Sequence, residues 1–154
     1  MDDLALARAV HVIAVLFWIG GVGFVTWVVM PALMATEAPE DRLRRFQQLE
    51  ARFAWQARLW VVLAGASGLW LVMRADLWSR FLDVRFWWMH LMVGLWTIFA
   101  LMLFVIEPLH LRSSLAVSTS PEADFLRMMR LHQLLLAVSI ITIFGAVGGS
   151  HGLF

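Results

Sequence analysis

The chain has 154 residues, of which 62% are hydrophobic and 15% charged, and its mean hydropathy is +0.80; a water-soluble domain, roughly 45–50% apolar, does not carry that much grease. All 12 basic residues are Arg and the formal net charge is only +1, which leaves nucleic-acid binding without electrostatic support. Cys is absent, which excludes disulfides, thiolate ligands and Cys nucleophiles and restricts any metal to His, Met or carboxylate.

Four apolar segments follow in chain order, at about 7–35, 53–74, 85–109 and 124–150, each near the ~20 residues that cross ~30 Å of hydrocarbon. Backbone polar groups are satisfied there by helices. The first run extends from Ala9 to Met34 without a basic leader or a cleavage site after a short core, so it is read as a retained span. The first loop, Thr36 to Arg52, holds Pro39 and a Glu/Asp/Arg cluster, and Arg42 to Arg52 is predicted to extend the second span as a helix at the membrane surface. The second loop is short, and the third carries Ser113, Ser114, Ser118, Thr119, Ser120 and Pro121. No linker is long enough for a second domain. The expected fold is all-α: a single transmembrane domain over 1–154, a polytopic membrane four-helix bundle with both termini on the same side.

The spans alternate, so Arg8, Arg74, Arg80 and Arg85 fall on the side of the N-terminus, side A. Side B collects Arg42, Arg44, Arg45, Arg52, Arg58, Arg112, Arg127 and Arg130. That asymmetry makes side B cytoplasmic by the positive-inside rule. Both termini are then expected to be extracytoplasmic, in a bacterial-type inner membrane.

Five His occur in this small chain, and an imidazole in a bilayer needs a partner. His11 opens span one, His90 opens span three and His151 closes span four, all towards side A, whereas His110 and His132 lie towards side B. Counted from Arg8 and Arg85, His11 is ~4 Å deep and His90 ~7 Å, heights compatible with one iron between them. Two neutral imidazoles at matched depth on separate helices make the simplest bis-His haem site. His11 shares a face with Val15 and Trp18; His90 shares one with Gly94 and Thr97, and Gly94 is expected to leave room for a flat macrocycle. The other outcome for both His is a bond to a backbone carbonyl or a helix cap, and His151, in a Gly-rich terminus, is open to either role. His90 and His110 are ~30 Å and about 200° apart on an ideal helix, which argues against a two-haem ladder.

On side B, Arg58 sits inside the second span with Glu107 at comparable height and His132 entering on the fourth. An intramembrane ion is a functional candidate. The three form either a neutralising ion pair or a polar pocket for a quinone, a proton relay or a haem propionate. Met89 and Met92 beside His90 also offer donors for Cu(I), the alternative metal. Trp55, Trp78, Trp87 and Trp88 fit interfacial belts. Gly145 and Gly149 have the spacing that permits helix contact within or between chains, so an oligomer is open.

The stretch from Val10 to Leu33, with His11, Trp18-Ile19-Gly20-Gly21 and Pro31-Ala32-Leu33, resembles the first span of the CopD-like membrane proteins and the related HemJ-type protoporphyrinogen oxidases. The resemblance continues through Leu49-Glu50-Ala51-Arg52-Phe53, Gly65-Ala66-Ser67-Gly68-Leu69 and Trp87-Trp88-Met89-His90-Leu91. Glu107-Pro108-Leu109, Leu131-His132 and the run Gly145 to Gly152 resemble small members of that superfamily. The resemblance implies a membrane haem b with His11 as an axial ligand. HemJ-type enzymes carry a Lys shortly after the third-span His; here Met92 stands in that region and the chain has no Lys. The expectation is a b-type cytochrome that exchanges electrons with a quinol or a redox partner protein, with porphyrinogen oxidation or copper handling as alternatives.

Overall fold

The computed structural model describes residues 3–108 and 120–153, and within them there is no strand. Four helices, α1 (Asp3–Thr36), α2 (Pro39–Arg74), α3 (Val84–Ile106) and α4 (Pro121–Ser150), are each long and apolar enough to cross a membrane. The chain is an all-α, multi-pass membrane protein. Asp3 pairs with Arg74 at 2.9 Å, and Trp88 of α3 packs on Gly149 of α4. Those two contacts put both ends of the described chain at one end of the bundle, end A, with the α1–α2 turn at end B.

α2 has 36 residues, ~54 Å at 1.5 Å per residue, more than a hydrocarbon core requires. Its first turns, from Pro39, are the helical extension anticipated between Arg42 and Arg52. A buried stripe runs along it: Leu43 and Phe46, then, after an eight-residue interval, Ala54, Ala57, Val61, Ala64 and Ser67 at three- and four-residue steps. That spacing keeps one helix face against its neighbours over its whole length.

The core has two parts. One, in the middle of the bundle, joins Ala14, Trp18 and Val22 of α1 to Val61 and Ala64 of α2, Leu95 and Phe99 of α3, and Leu135 and Leu136 of α4. The other, at end B, joins Met30, Leu33, Leu43, Phe46 and Phe125. Outside them, Leu16, Phe17, Trp27, Val62, Phe104, Ile141 and Phe144 are exposed, a surface suited to hydrocarbon and not to water. The core hydroxyls satisfy themselves along their own helices: Thr26 donates to the Val22 carbonyl, Ser139 to Leu135 and Thr142 to Val138.

All four prolines lie at end B. Pro39 and Pro121 occupy the first turns of α2 and α4, where a missing N–H costs nothing. Pro31 and Pro108 instead follow, by two residues, widened π segments at Val25–Val29 and Met102–Ile106. A proline clashes with the carbonyl four residues back and has no N–H to give it, so the helix opens by one residue ahead of it. At α3 the Glu107 N–H bonds the Met102 carbonyl, and the next carbonyl in that pattern, Leu103, would need the N–H that Pro108 lacks.

Where α1 ends, Arg42 closes it. Its guanidinium donates to the Met34 and Glu37 carbonyls, each at 3.1 Å, and meets Glu122 of α4 at 3.5 Å. One side chain thereby satisfies terminal carbonyls of α1 and ties α2 to α4.

Candidate functional site

His11 stands towards end A on the face of α1 that packs on α2. Its Nδ1 is 3.0 Å from the Ala64 carbonyl oxygen and 3.1 Å from Ser67 Oγ. A carbonyl only accepts, and Ser67 Oγ–H donates to Leu63, so Nδ1 carries the proton and the neutral ring keeps its lone pair on Nε2. The ring fits because of Gly68, where an added Cβ would stand 3.0 Å from His11 Cε1. Small residues on α2 thus seat and orient the imidazole in the way that carbonyl-bonded metal ligands are oriented.

Two turns deeper on the same face of α1, Trp18 is only 6% exposed and sets its ring edge-on to Phe99 at 5.1 Å. Its indole Nε1 is buried without a hydrogen-bond partner among the described residues. An unmet donor in a core costs about 1–3 kcal/mol, and it offers a bond to any acceptor that enters.

His90 is not brought to His11. Its Nε2 lies 3.0 Å from the Phe81 carbonyl oxygen in the α2–α3 connection, its ring stands edge-on to that of Phe81, and His90, Gly94 and Thr97 are all exposed. The buried stripe of α3 is Trp88, Met89, Leu95 and Phe99, so His90, one residue past Met89, leaves the helix on its outer side. The carbonyl accepts, so Nε2 carries a proton and Nδ1 lies outside that bond. A Cβ at Gly94 would meet nothing within 4 Å; the space there is outside the bundle. Met89 is buried and His90 exposed, so the two leave α3 on different sides, and among the described residues no three His, Asp or Glu side chains converge on one point. His151 is exposed at the end of α4, with Nδ1 bonded to the Val147 carbonyl at 2.8 Å. His110 lies outside the described residues.

The donor set fits a haem at one axial position, through His11 Nε2, with the Trp18 N–H on the same helix face. His90, on the outer side of α3, does not face His11 in this arrangement.

Towards end B, Arg58 and Glu107 form an ion pair at 3.1 Å, with side chains 31% and 21% exposed. Arg58 Nε also donates to the Leu103 carbonyl at 3.1 Å, the acceptor that Pro108 leaves unmet. His132 stands apart from the pair: Nδ1 donates to Met128 at 3.0 Å and the ring meets Phe46 edge-on at 5.6 Å.

One residue of this half, Glu50, enters the sequence reading only within Leu49-Glu50-Ala51-Arg52-Phe53, with no role of its own. Glu50 falls in the α2 stripe, four residues after Phe46 and four before Ala54, both buried, and the charge it feels is that of Glu107. The signal was present as a carboxylate in an otherwise apolar seam, hidden because the stretch is rich in exposed Arg. Elsewhere, Trp88 proves to be core and covers Gly149, while Trp87 covers Gly145; the two glycines serve a contact within the chain. Comparison with protein-family models, characterised proteins and solved structures finds no match, and the functional reading therefore rests on the arrangement of these side chains.

Proposed function

We propose that this chain is an integral-membrane b-type haem protein in electron transfer, with His11 as an axial ligand near end A and electrons drawn from a membrane quinol or a redox partner protein. The observation that carries the proposal is the seating of His11: Nδ1–H committed to Ala64, the ring lodged against Gly68, and Nε2 left with its lone pair. Haem b supplies one-electron iron chemistry when bound. The chain's own contribution is to hold the imidazole in one tautomer, to keep water from that face, and to present the Trp18 N–H to an acceptor. The resemblance to CopD-like and HemJ-type proteins supports the same ligand. The excess of Arg at end B supports an orientation with end A extracytoplasmic.

The experiment is an absorbance spectrum of the purified protein and its variants. A Soret band with sharp reduced α and β bands is expected, and His11→Ala should remove or convert it. His90→Ala separates two forms of the proposal: conversion to high spin makes His90 the second ligand, whereas an unchanged spectrum leaves that position to another group. A colourless protein, or an unaltered spectrum in His11→Ala, overturns the reading.

A further inference from the structure

We propose that Glu50 is a proton-binding residue of the end-B half of the bundle, holding one exchangeable proton beside the Arg58–Glu107 pair. This does not depend on haem. The argument is one of charge and geometry. Phe46 and Ala54, one turn to either side of Glu50, are 1% and 2% exposed, so the carboxyl leaves α2 on its packed face. The groups that face it are few. From α3 comes Glu107, a like charge. From α4 comes His132, whose ring stands on Phe46 and whose proton goes to Met128. α1 buries Thr26, Met30 and Leu33 at this end, none of them titratable.

The intramembrane cation of this half is Arg58, two turns further along α2, and it is already committed. NH2 meets Glu107 and Nε fills the carbonyl that Pro108 leaves open. No hydrogen bond or ion pair reaches the Glu50 carboxyl among the described residues. One guanidinium against two carboxylates leaves a net negative charge in the packed seam at end B, where an unpaired charge is unfavourable. Binding one proton to the unpaired carboxyl removes that charge. The proton comes from the water at end B, no electrons move, and Glu107 keeps its contact with Arg58.

Infrared difference spectroscopy of the reconstituted full chain tests this, with Glu carboxyl carbons isotopically labelled so that Glu bands separate from Asp bands. At neutral pH a protonated Glu carbonyl band is expected in the wild type, shifted by the label and by deuterium exchange. Glu50→Gln should abolish it, and Glu50→Asp should move it from the Glu-labelled to the Asp-labelled spectrum, which serves if Glu50→Gln does not fold. Absence of the band in the wild type, or a band that survives Glu50→Gln and disappears in Glu107→Gln, overturns the proposal.

Discussion

Arg58→Gln removes two contacts of different kinds, and their costs separate. Glu107, only 21% exposed, loses its counter-ion, and stranding a buried charge costs about 3–5 kcal/mol. The Leu103 carbonyl loses the donor that Arg58 gives it, a further ~1–3 kcal/mol. The single variant should therefore be severely destabilised in SDS-induced unfolding from mixed micelles, read by Trp fluorescence. Arg58→Gln with Glu107→Gln should regain most of the first part, because no ion is left unpaired. Adding Pro108→Ala should regain much of the second, because the new N–H can take the place of the guanidinium at Leu103. If the double variant is no more stable than Arg58→Gln, the ion pair is not what Arg58 supplies. If it folds but reduces haem more slowly than the wild type, Arg58 acts in the electron path as well as in the fold.

Gly149→Ala would place a Cβ 2.1 Å from Trp88 Cη2, and since Trp88 is 5% exposed its ring has no free space to retreat into; a loss of about 1–3 kcal/mol is expected in the same unfolding assay. Wild-type stability in that variant would show that α3 and α4 do not pack as described. Arg42→Ala should cost about 1.5–3 kcal/mol, from charge-assisted bonds to two carbonyls, and should speed proteolysis at Glu37 and Ala38, between α1 and α2. Unaltered cleavage there would remove Arg42 from its role as the seal of α1.

Much of the fold was legible because hydropathy along a chain measures depth. The four spans and the continuation of α2 into Arg42 to Arg52 follow from run length and composition alone, and the ion pair of Arg58 with Glu107 is one of the arrangements that their common height allowed. What depth does not contain is azimuth. In a span where residues towards lipid and residues towards neighbours are both apolar, no periodicity marks the inner face, so matched heights for His11 and His90 did not reveal that one ring turns inward to α2 and the other outward to Phe81. Pro31 and Pro108 were visible, but the π segments ahead of them were not. The extra residue in each resets which side chains face inward beyond it, and that is how the Leu103 carbonyl comes to meet Arg58. Glu50 was missed for the opposite reason: its surroundings in sequence are polar, whereas its neighbours on the same face are Phe46 and Ala54.

The placement of every proline at end B makes the bundle mechanically lopsided. At end A, His11 is clamped between α1 and α2 by Ala64 and Ser67. At end B the two outgoing helices each contain a widened turn, and the returning helices begin on residues that add no backbone donor. A wide turn bends at lower energy than a regular one, so thermal flexing of the bundle concentrates around Val25–Val29 and Met102–Ile106. A hinge at Val25–Val29 would let the rest of α1 move at end B while the part that carries His11 keeps its shape. Amide exchange should accordingly be faster just beyond the two π segments than at the same distance from the opposite end.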